Sequence, residues 1–292
     1  MIDQHRQAQV YGIRPQRTFE EAAAKFVMDH QHKRSLVDDI GRLKGLMPWI
    51  GSVPIDRLHM GLLQPWIADR KANGRTTGTI NHGLQVIRHI LNLAAGEWMD
   101  EHGMTWLHAA PKIKLLPFGG SRRPYPLNWE EQDRLFAELP NHLVEMSNFA
   151  VNTGCRDREI CNLRWEWEIE VPQLGTSVFI VPGGRVKNGE DRLIVLNRNA
   201  RAVITGRRGK HPTHVFDYEG RPLDRMLTAA WKRARVRAGM PQMRVHDLKH
   251  TFGRRLRAAG VGFEDRQDLL GHKSARMTTH YSAAELTRLI EA

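Results

Sequence analysis

Apolar residues recur at helical spacing through the first hundred residues of the chain. The clearest stripe is formed by five residues that lie three or four positions apart and so share one helix face: Ile80, Leu84, Ile87, Leu91 and Ala94. Similar patterns predict three further helices, over residues 19–28, 35–49 and 60–72. Thr18 followed by Glu21 is a capping box that predicts where the first of these begins. The first part of the chain is therefore predicted to be a small helical bundle.

The second half has a mixed pattern. Asn128 and Glu131 form another capping box, and a further helix is predicted to end near Gly154. Three short extended segments are predicted over residues 165–171, 178–181 and 193–196. Asn188-Gly189, between the last two, is the strongest short signal for a hairpin turn. The rest of the chain is predicted to be helical to its end, with breaks at Gly239, Gly260, Gly271 and Ser274.

Together these elements predict an α+β fold that is mostly α, in which a helical N-terminal domain precedes a C-terminal domain with a small antiparallel sheet. Residues 111–126 combine proline, glycine and basic residues without periodicity, which is typical of a linker. We therefore predict an N-terminal extension over 1–17, a helical domain over 18–110, a linker over 111–126 and a second domain over 127–292.

The net charge of the chain indicates what kind of partner it binds. Lys and Arg number 44 against 32 Asp and Glu, a formal net charge of +12, so a polyanion is the expected partner, nucleic acid ahead of a membrane surface. Apolar residues make up 41% of the chain, which is a globular composition. The two cysteines exclude a disulfide scaffold and a four-cysteine zinc site. No apolar run approaches the roughly 20 residues that span a bilayer, and no secretory signal opens the chain, so a cytoplasmic protein is expected.

Several polar residues lie at predicted turns and helix starts, where their side chains can reach into an active site. Arg156 follows the predicted helix end at Gly154 and can project into a cleft, while Glu159 opens the next helix; the same two side chains equally fit a structural ion pair. Lys187 lies beside the predicted hairpin turn, where a lysine is usually solvated charge but can also swing a proton donor into a site.

Two more segments add histidines and a tyrosine. His246 and Lys249 are three residues apart and share a helix face, and His250 is adjacent to His246 on that face. Two histidines four apart suit zinc, but zinc proteases place Glu directly after the first one and this chain has Asp, so no metal is expected. His272 follows a Leu-Leu-Gly run and Tyr281 comes nine residues later, each a weak signal alone.

In this order the four segments resemble the phage integrase family, the tyrosine site-specific recombinases. The resemblance lies in Thr-Gly-Cys-Arg-x-x-Glu-Ile around Arg156, a lysine beside a hairpin turn, His-Asp-Leu-Lys-His-Thr from His246, and Leu-Gly-His with a tyrosine nine residues beyond. The helical first half fits the family's core-binding domain and the second half its catalytic domain. One position departs from the family pattern, because Lys249 stands where the family has a second arginine.

The resemblance implies an enzyme that cleaves and rejoins DNA strands through a covalent 3′-phosphotyrosine on Tyr281. Arg156, Lys249 and His272 would bind the phosphate oxygens, which need cationic donors as negative charge develops. Lys187 is then the candidate acid for the leaving 5′-oxygen and His246 the candidate proton acceptor. Glu159 would support this group by orienting a basic partner. No cofactor is expected, because the phosphotyrosine conserves the energy of the broken bond.

The partner implied is double-stranded DNA, bound by a homotetramer on two DNA sites, with an accessory DNA-bending protein left open and no membrane involved. A bacterial cell or a prophage is the expected source, with the enzyme associated with the nucleoid. Two alternatives remain: a nicking and resealing enzyme similar to type IB topoisomerases, and a DNA-binding protein whose chemistry has decayed at Lys249. The terminal segment 282–292 is predicted to be a short amphipathic helix that packs either on its own domain or on a neighbouring copy.

Overall fold

The computed structural model of the chain describes residues 14–117, 119–120, 122–185, 189–271 and 287–289. The chain divides into two compact units, residues 1–122 and 123–292. Three predicted site residues, Lys187, His272 and Tyr281, lie outside the described residues, as do the predicted turn residue Asn188 and the predicted break at Ser274. Among the described residues, no helix is both long and apolar enough to cross a membrane.

The described residues of the first unit form four α-helices, which confirms the predicted bundle. They are α1 (Phe19–Asp29), α2 (Leu36–Ile50), α3 (Met60–Ala72) and α4 (Thr77–Gly96). The capping box predicted at Thr18 is present: its side chain accepts from the Glu21 backbone N–H, and the Glu21 carboxylate accepts from the Thr18 N–H. The apolar stripe of α4 is fully buried in the core of this unit.

The start of the predicted linker is attached to this helical unit. Ile113 is buried in its core. The Asn81 side chain on α4 donates to the Leu116 carbonyl at 2.9 Å and accepts from the Leu116 N–H at 2.8 Å. These two hydrogen bonds pair the buried Asn81 amide with the backbone N–H and carbonyl of Leu116, and they fix the path of the chain as it leaves the bundle.

The second unit has more elements. Its helices are α5 (Trp129–Glu138), α6 (Asn141–Thr153), α7 (Asp157–Cys161), α8 (Arg198–Arg207), α9 (Ala229–Arg237), α10 (Val245–Ala258) and α11 (Phe263–Leu270). Its strands are β1 (Glu168–Val171), β2 (Thr176–Val181), β3 (Arg192–Val195), β4 (Asp217–Tyr218) and β5 (Arg221–Pro222). This confirms the α+β class with a small antiparallel sheet.

The main sheet has the order β1-β2-β3 and is antiparallel throughout. Its first strand begins at Glu168 and not at Trp165 as predicted, because residues 165–167 form a turn of 3₁₀ helix. The Trp165 ring N–H donates to the His211 carbonyl and its backbone N–H to the Thr213 carbonyl. Trp165 is therefore tied to the segment before β4 and does not join the strand ladder.

A second departure from the prediction is the hairpin of β4 and β5, in a stretch predicted to be helical. Asp217 pairs with Pro222 and Tyr218 with Arg221, around a turn in which Glu219 and Gly220 both have positive φ. The Asp217 side chain accepts from the Gly220 N–H at 2.9 Å, which closes this turn locally. Two-residue strands carry too short a pattern to be recognised by periodicity.

Helix α10 contributes to the core of the second unit. Helix α10 packs against α6 and α11, and its apolar face includes Leu248, which is fully buried. The chain entering this unit is attached to the same helix, since the Leu127 N–H donates to the Thr251 hydroxyl at 3.0 Å. The described part of the tail also packs on this unit: Leu289 is buried in a cluster that contains Leu269. Docking of the tail on a neighbouring copy stays a prediction.

Candidate active site

Arg156 lies at the junction of α6 and α7, as predicted. Helix α6 ends at Thr153 and is capped by Gly154, whose φ of +64° is a left-handed conformation that favours glycine. A Cβ added at Gly154 would also lie 2.5 Å from the Phe252 ring. Arg156 is the residue before α7, and the Glu159 carboxylate accepts from its backbone N–H at 2.8 Å. The Arg156 guanidinium donates to the same carboxylate at 2.6 Å, and its side chain is 26% exposed.

The Glu159 carboxylate is 6% exposed and remains ionised. Burial alone would raise the pKa of this carboxyl, but the guanidinium of Arg192 and the hydrogen bonds from Arg156 hold its pKa below the usual range. Glu159 therefore fixes Arg156 in place through one side of its guanidinium group. Both interpretations of Arg156 and Glu159 are compatible with this arrangement, because a structural ion pair at this position also orients the Arg156 guanidinium.

Helix α10 carries the next two predicted residues. His246 lies in the first turn of the helix with part of its side chain exposed, and Lys249 lies one turn later. Partial burial, followed in size by the charges of His250 and Lys249, lowers the pKa of His246, so its imidazole is neutral at pH 7. The rings of His246 and His250 meet edge to face, with centroids 4.8 Å apart. Within the described part of the chain, no three His, Cys, Asp or Glu side chains are grouped to hold a metal.

Lys249 is buried, with 5% of its surface exposed. Its ammonium group donates to the Gly154 carbonyl at 2.9 Å and to the Leu270 carbonyl. It therefore joins the end of α6 to the end of α11, and Arg156 reaches the same place through a long hydrogen bond of 3.4 Å from its guanidinium to the Gly271 carbonyl. The structure brings Arg156, Glu159 and Lys249 together at the residue before His272.

The ammonium group of Lys249 is held in an unfavourable electrostatic environment. Burial, and then the neighbouring charges of Arg192 and Arg156, lower its pKa from 10.5 to about 7, against the opposing influence of Glu159 and Cys155. The carbonyls that it binds are helix C-terminal groups, which favour a cation. At neutral pH this lysine is thus poised between its charged and neutral forms.

The lowered pKa of Lys249 predicts how the stability of the protein depends on pH. Between about pH 7 and the usual lysine pKa of 10.5, the unfolded chain binds a proton that the folded chain has lost, so this contribution to the free energy of unfolding increases with pH. The limiting slope for one proton is about 1.4 kcal/mol per pH unit. We expect Lys249→Met to lose this slope in urea denaturation, whatever its offset in stability. The exposed Lys232→Met is the matched control and should keep the wild-type slope; equal slopes in wild type and Lys249→Met would contradict the expectation.

Arg192 was not predicted from the sequence, and it is the most deeply buried cation among the described residues of the site. Its side chain starts from the first residue of β3 and is 1% exposed. It donates to the backbone carbonyls of Thr153, Asp268 and Leu269. The available signal was weak: a charged residue directly before a continuous apolar run, which leads into a strand that is buried along its whole length.

Next to these buried groups the surface of α10 is basic. A cavity of about 370 Å³ is lined by His246, Lys249 and His250, and further along the helix by Arg254 and Arg257. These residues lie on one helix face, since they are three or four positions apart. Positive and hydrogen-bond-donating groups on one side of a cavity suit an anion such as a phosphodiester.

Three predicted site residues are close in sequence to these described groups. Lys187 belongs to the segment between Arg185 and Gly189, which joins β2 to β3. His272 directly follows Gly271, the residue that ends α11 in a left-handed conformation with φ +57°. Tyr281 lies nine residues further along the chain. The roles predicted for all three remain predictions.

Comparison with known proteins gives a consistent result along the chain. The model of the phage integrase family matches residues 127–288. The integrase of Salmonella phage P22 is 26% identical over 322 residues, covering 96% of this chain and 80% of that protein. A tyrosine recombinase XerC from Rhodospirillum centenum is 24% identical, covering 99% of this chain and 82% of the relative.

Solved structures with the same fold extend over both units. A lambda integrase (residues 75–356) dimer bound to a COC′ core site has a TM-score of 0.70 at 15% identity, covering 91% of this chain and 99% of that one. The Tn1549 transposon integrase (residues 82–397) in complex with circular intermediate DNA has a TM-score of 0.65 at 17% identity, covering 92% and 98%. At such low identity these likenesses establish the fold of the chain.

Proposed function

We infer that this chain, which belongs to the phage integrase family, cuts and rejoins DNA at specific sites through a covalent 3′-phosphotyrosine on Tyr281. It is a tyrosine recombinase, and its substrate is double-stranded DNA. The observation that carries the assignment of the site is the meeting of Arg156 and Lys249 at the Leu270 and Gly271 carbonyls. These contacts support the proposal because they bring two cations next to the residue that precedes His272.

Cleavage begins with the attack of the Tyr281 phenolate oxygen on phosphorus. The phenolic proton passes to a base, for which the neutral imidazole of His246 is our candidate. The new bond joins the Tyr281 oxygen to the 3′-phosphate, and the bond to the 5′-oxygen breaks. Lys187 is our candidate for the acid that protonates the departing oxygen.

The negative charge of the pentacovalent phosphorus is balanced by donors in the site. Arg156 offers a planar fork that binds two oxygens at once, and Glu159 holds that fork in position. Lys249 and His272 are our candidates for the remaining donors. Rejoining is the reverse reaction: the 5′-hydroxyl of a second strand attacks the phosphotyrosine and releases Tyr281, so no external energy source is required.

The recombinase assignment is favoured over the type IB topoisomerase alternative, because the relatives that match nearly the whole chain are integrases and XerC recombinases. Recombination between two sites on one plasmid distinguishes the activities, since a topoisomerase relaxes supercoils without exchanging the sites. Decayed chemistry is disfavoured by the intact contacts of Arg156, Glu159 and Lys249.

We propose that the working assembly is a homotetramer on two DNA sites. A lambda integrase tetramer bound to a Holliday junction shares the fold of this chain with a TM-score of 0.67 at 16% identity. In each copy the first unit (the helical unit, residues 1–122) and the second unit (the catalytic unit, residues 123–292) would both bind the duplex. The affinity for DNA would fall steeply as the salt concentration is raised. DNA as substrate is consistent with action in the cytoplasm of a bacterial cell, on its nucleoid, and an accessory DNA-bending protein is compatible with this assembly.

The experiment that tests the function is direct capture of the intermediate. The protein is incubated with genomic DNA fragments that flank its own gene, denatured, and the DNA attached to it is sequenced. We expect covalent adducts at one short site, with the 3′-phosphate on Tyr281. The absence of any adduct from all fragments, under conditions where the protein binds them, would contradict the proposed function.

A separate prediction concerns the acid. Lys187→Ala should cleave ordinary DNA slowly, because the 5′-oxygen leaves without a proton, and should recover on a 5′-phosphorothiolate substrate, whose sulfur needs no protonation. The measurement is single-turnover cleavage of both substrates at saturating protein. An equal defect on both would assign Lys187 to binding and not to chemistry.

A further inference from the structure

The C-terminal end of α11 is held by cations from three different elements of the catalytic unit. Arg192 on β3 donates to the Asp268 carbonyl at 2.7 Å and to the Leu269 carbonyl. Lys249 on α10 donates to the next carbonyl, that of Leu270, and Arg156 to that of Gly271. The last carbonyls of a helix have no partner within the helix and carry its negative dipole end, so cations bind there favourably.

The same cations also hold the end of α6. Arg192 donates to the Thr153 carbonyl at 3.5 Å and Lys249 to the Gly154 carbonyl at 2.9 Å. These two residues directly precede the turn that presents Arg156. The ends of two helices are thereby fastened to each other through two buried side chains, and each helix end leads into a predicted catalytic residue.

Arg192 fills the space beside Gly271. A Cβ on Gly271 would lie 2.6 Å from Cδ, Nε and Nη1 of Arg192, and the φ of +57° at this glycine also disfavours a side chain. The guanidinium is therefore packed against the backbone from which His272 continues. Its charge is offset locally by Glu159, the same carboxylate that orients Arg156.

We propose that Arg192 is a positioning residue for the cleavage reaction. It fixes the α11 end that leads to His272 and the α6 end that leads to Arg156, and it does so from the strand that follows the segment containing Lys187. Arg192 is 1% exposed, so its proposed role is to act through the backbone that it holds and not through contact with the DNA. This inference rests on the proposed function for its activity readout, whereas its structural readout does not.

The activity test compares DNA binding with the chemical step. Short nicked duplexes that carry the site mapped by adduct sequencing serve as suicide substrates. We expect Arg192→Gln to bind this DNA within about threefold of wild type and to cleave about 10²-fold more slowly in single turnover, the scale on which misplaced groups slow a reaction. Arg192→Lys should be intermediate, because one ammonium replaces part of a fork that binds several carbonyls.

Arg207 provides a matched control. It is also a buried arginine of the catalytic unit, with 7% of its side chain exposed, and it is paired with Glu145 and Asp217 and not with the ends of α6 and α11. Arg207→Gln removes a comparable buried network without touching α11. It should lower the melting temperature and leave the cleavage rate of the folded protein within about threefold of wild type.

Amide hydrogen exchange on the free protein supplies a readout that needs no DNA. The Gly271 N–H donates to the Asp268 carbonyl and the Gly154 N–H to the Ala150 carbonyl. Arg192→Gln should speed exchange at both amides, and Arg207→Gln at neither. Should the glutamine variant fail to fold, Arg192→Lys is measured in both assays and is expected to show smaller changes in the same direction.

The outcomes are separable. If the wild-type protein forms no adduct, the proposed function is contradicted. Hydrogen exchange still shows in that case whether Arg192 holds the two helix ends. Folded Arg192 variants that cleave like wild type at equal DNA occupancy would overturn the positioning role. So would an equal loss of cleavage in Arg207→Gln, since the effect would then be one of general stability.

Discussion

Tyr281→Phe is expected to bind DNA with wild-type affinity and to form no covalent adduct at all. Phenylalanine keeps the aromatic ring but has no oxygen to bond to phosphorus, so the loss of adduct should be complete and not partial. The measurement is a denaturing gel of protein incubated with the mapped DNA site, alongside a binding assay on the same samples. Adduct formation by this variant would show that another residue is the nucleophile.

Tyr218 offers the control for this experiment. It is a tyrosine of the same unit, 48% exposed on β4, in a hairpin outside the predicted site. Tyr218→Phe removes one phenol oxygen from the chain as Tyr281→Phe does. It should form adducts at the wild-type rate, so that a defect confined to Tyr281→Phe reports on chemistry.

The helices were predictable because their signals are local. The structure gives α3 the bounds Met60–Ala72, as predicted, and the capping boxes at Thr18 and Asn128 are both formed. Each of these depends on side chains within a few residues of one another, which the sequence displays directly. The β4–β5 hairpin was missed because two paired residues per strand leave no period to detect.

The candidate site was only partly predictable, for a related reason. Arg156 and His246 were recognised from phrases in which turn and helix positions are fixed locally. The partners of Arg192 are carbonyls 39, 76 and 77 residues away along the chain, so the sequence around Arg192 carries only a weak signal of its burial. The same holds for Lys249, whose carbonyl partners are 95 and 21 residues away.

The lysine at position 249 can serve the cleavage reaction and the backbone at the same time. An ammonium group has three N–H donors, and two of them are used on the Gly154 and Leu270 carbonyls. We expect the third to bind a phosphate oxygen in the cavity that Lys249 shares with His246. A bound phosphodiester would also favour the charged form, because an anion raises the pKa of a neighbouring lysine.

Lys249→Ala is therefore expected to cleave DNA roughly two to three orders of magnitude more slowly, the scale seen when one donor to a developing oxyanion is removed. Lys249→Arg should keep at least partial activity, because a guanidinium restores the charge and the phosphate contact even where its fork fits the carbonyls imperfectly. Single-turnover cleavage of a suicide substrate at saturating protein separates this chemistry from binding, with the exposed Lys232→Ala as the control. Wild-type cleavage by Lys249→Ala would mean that the lysine serves neither the phosphate nor the helix ends that flank it, and that Arg156 and His272 bind the phosphate oxygens without it.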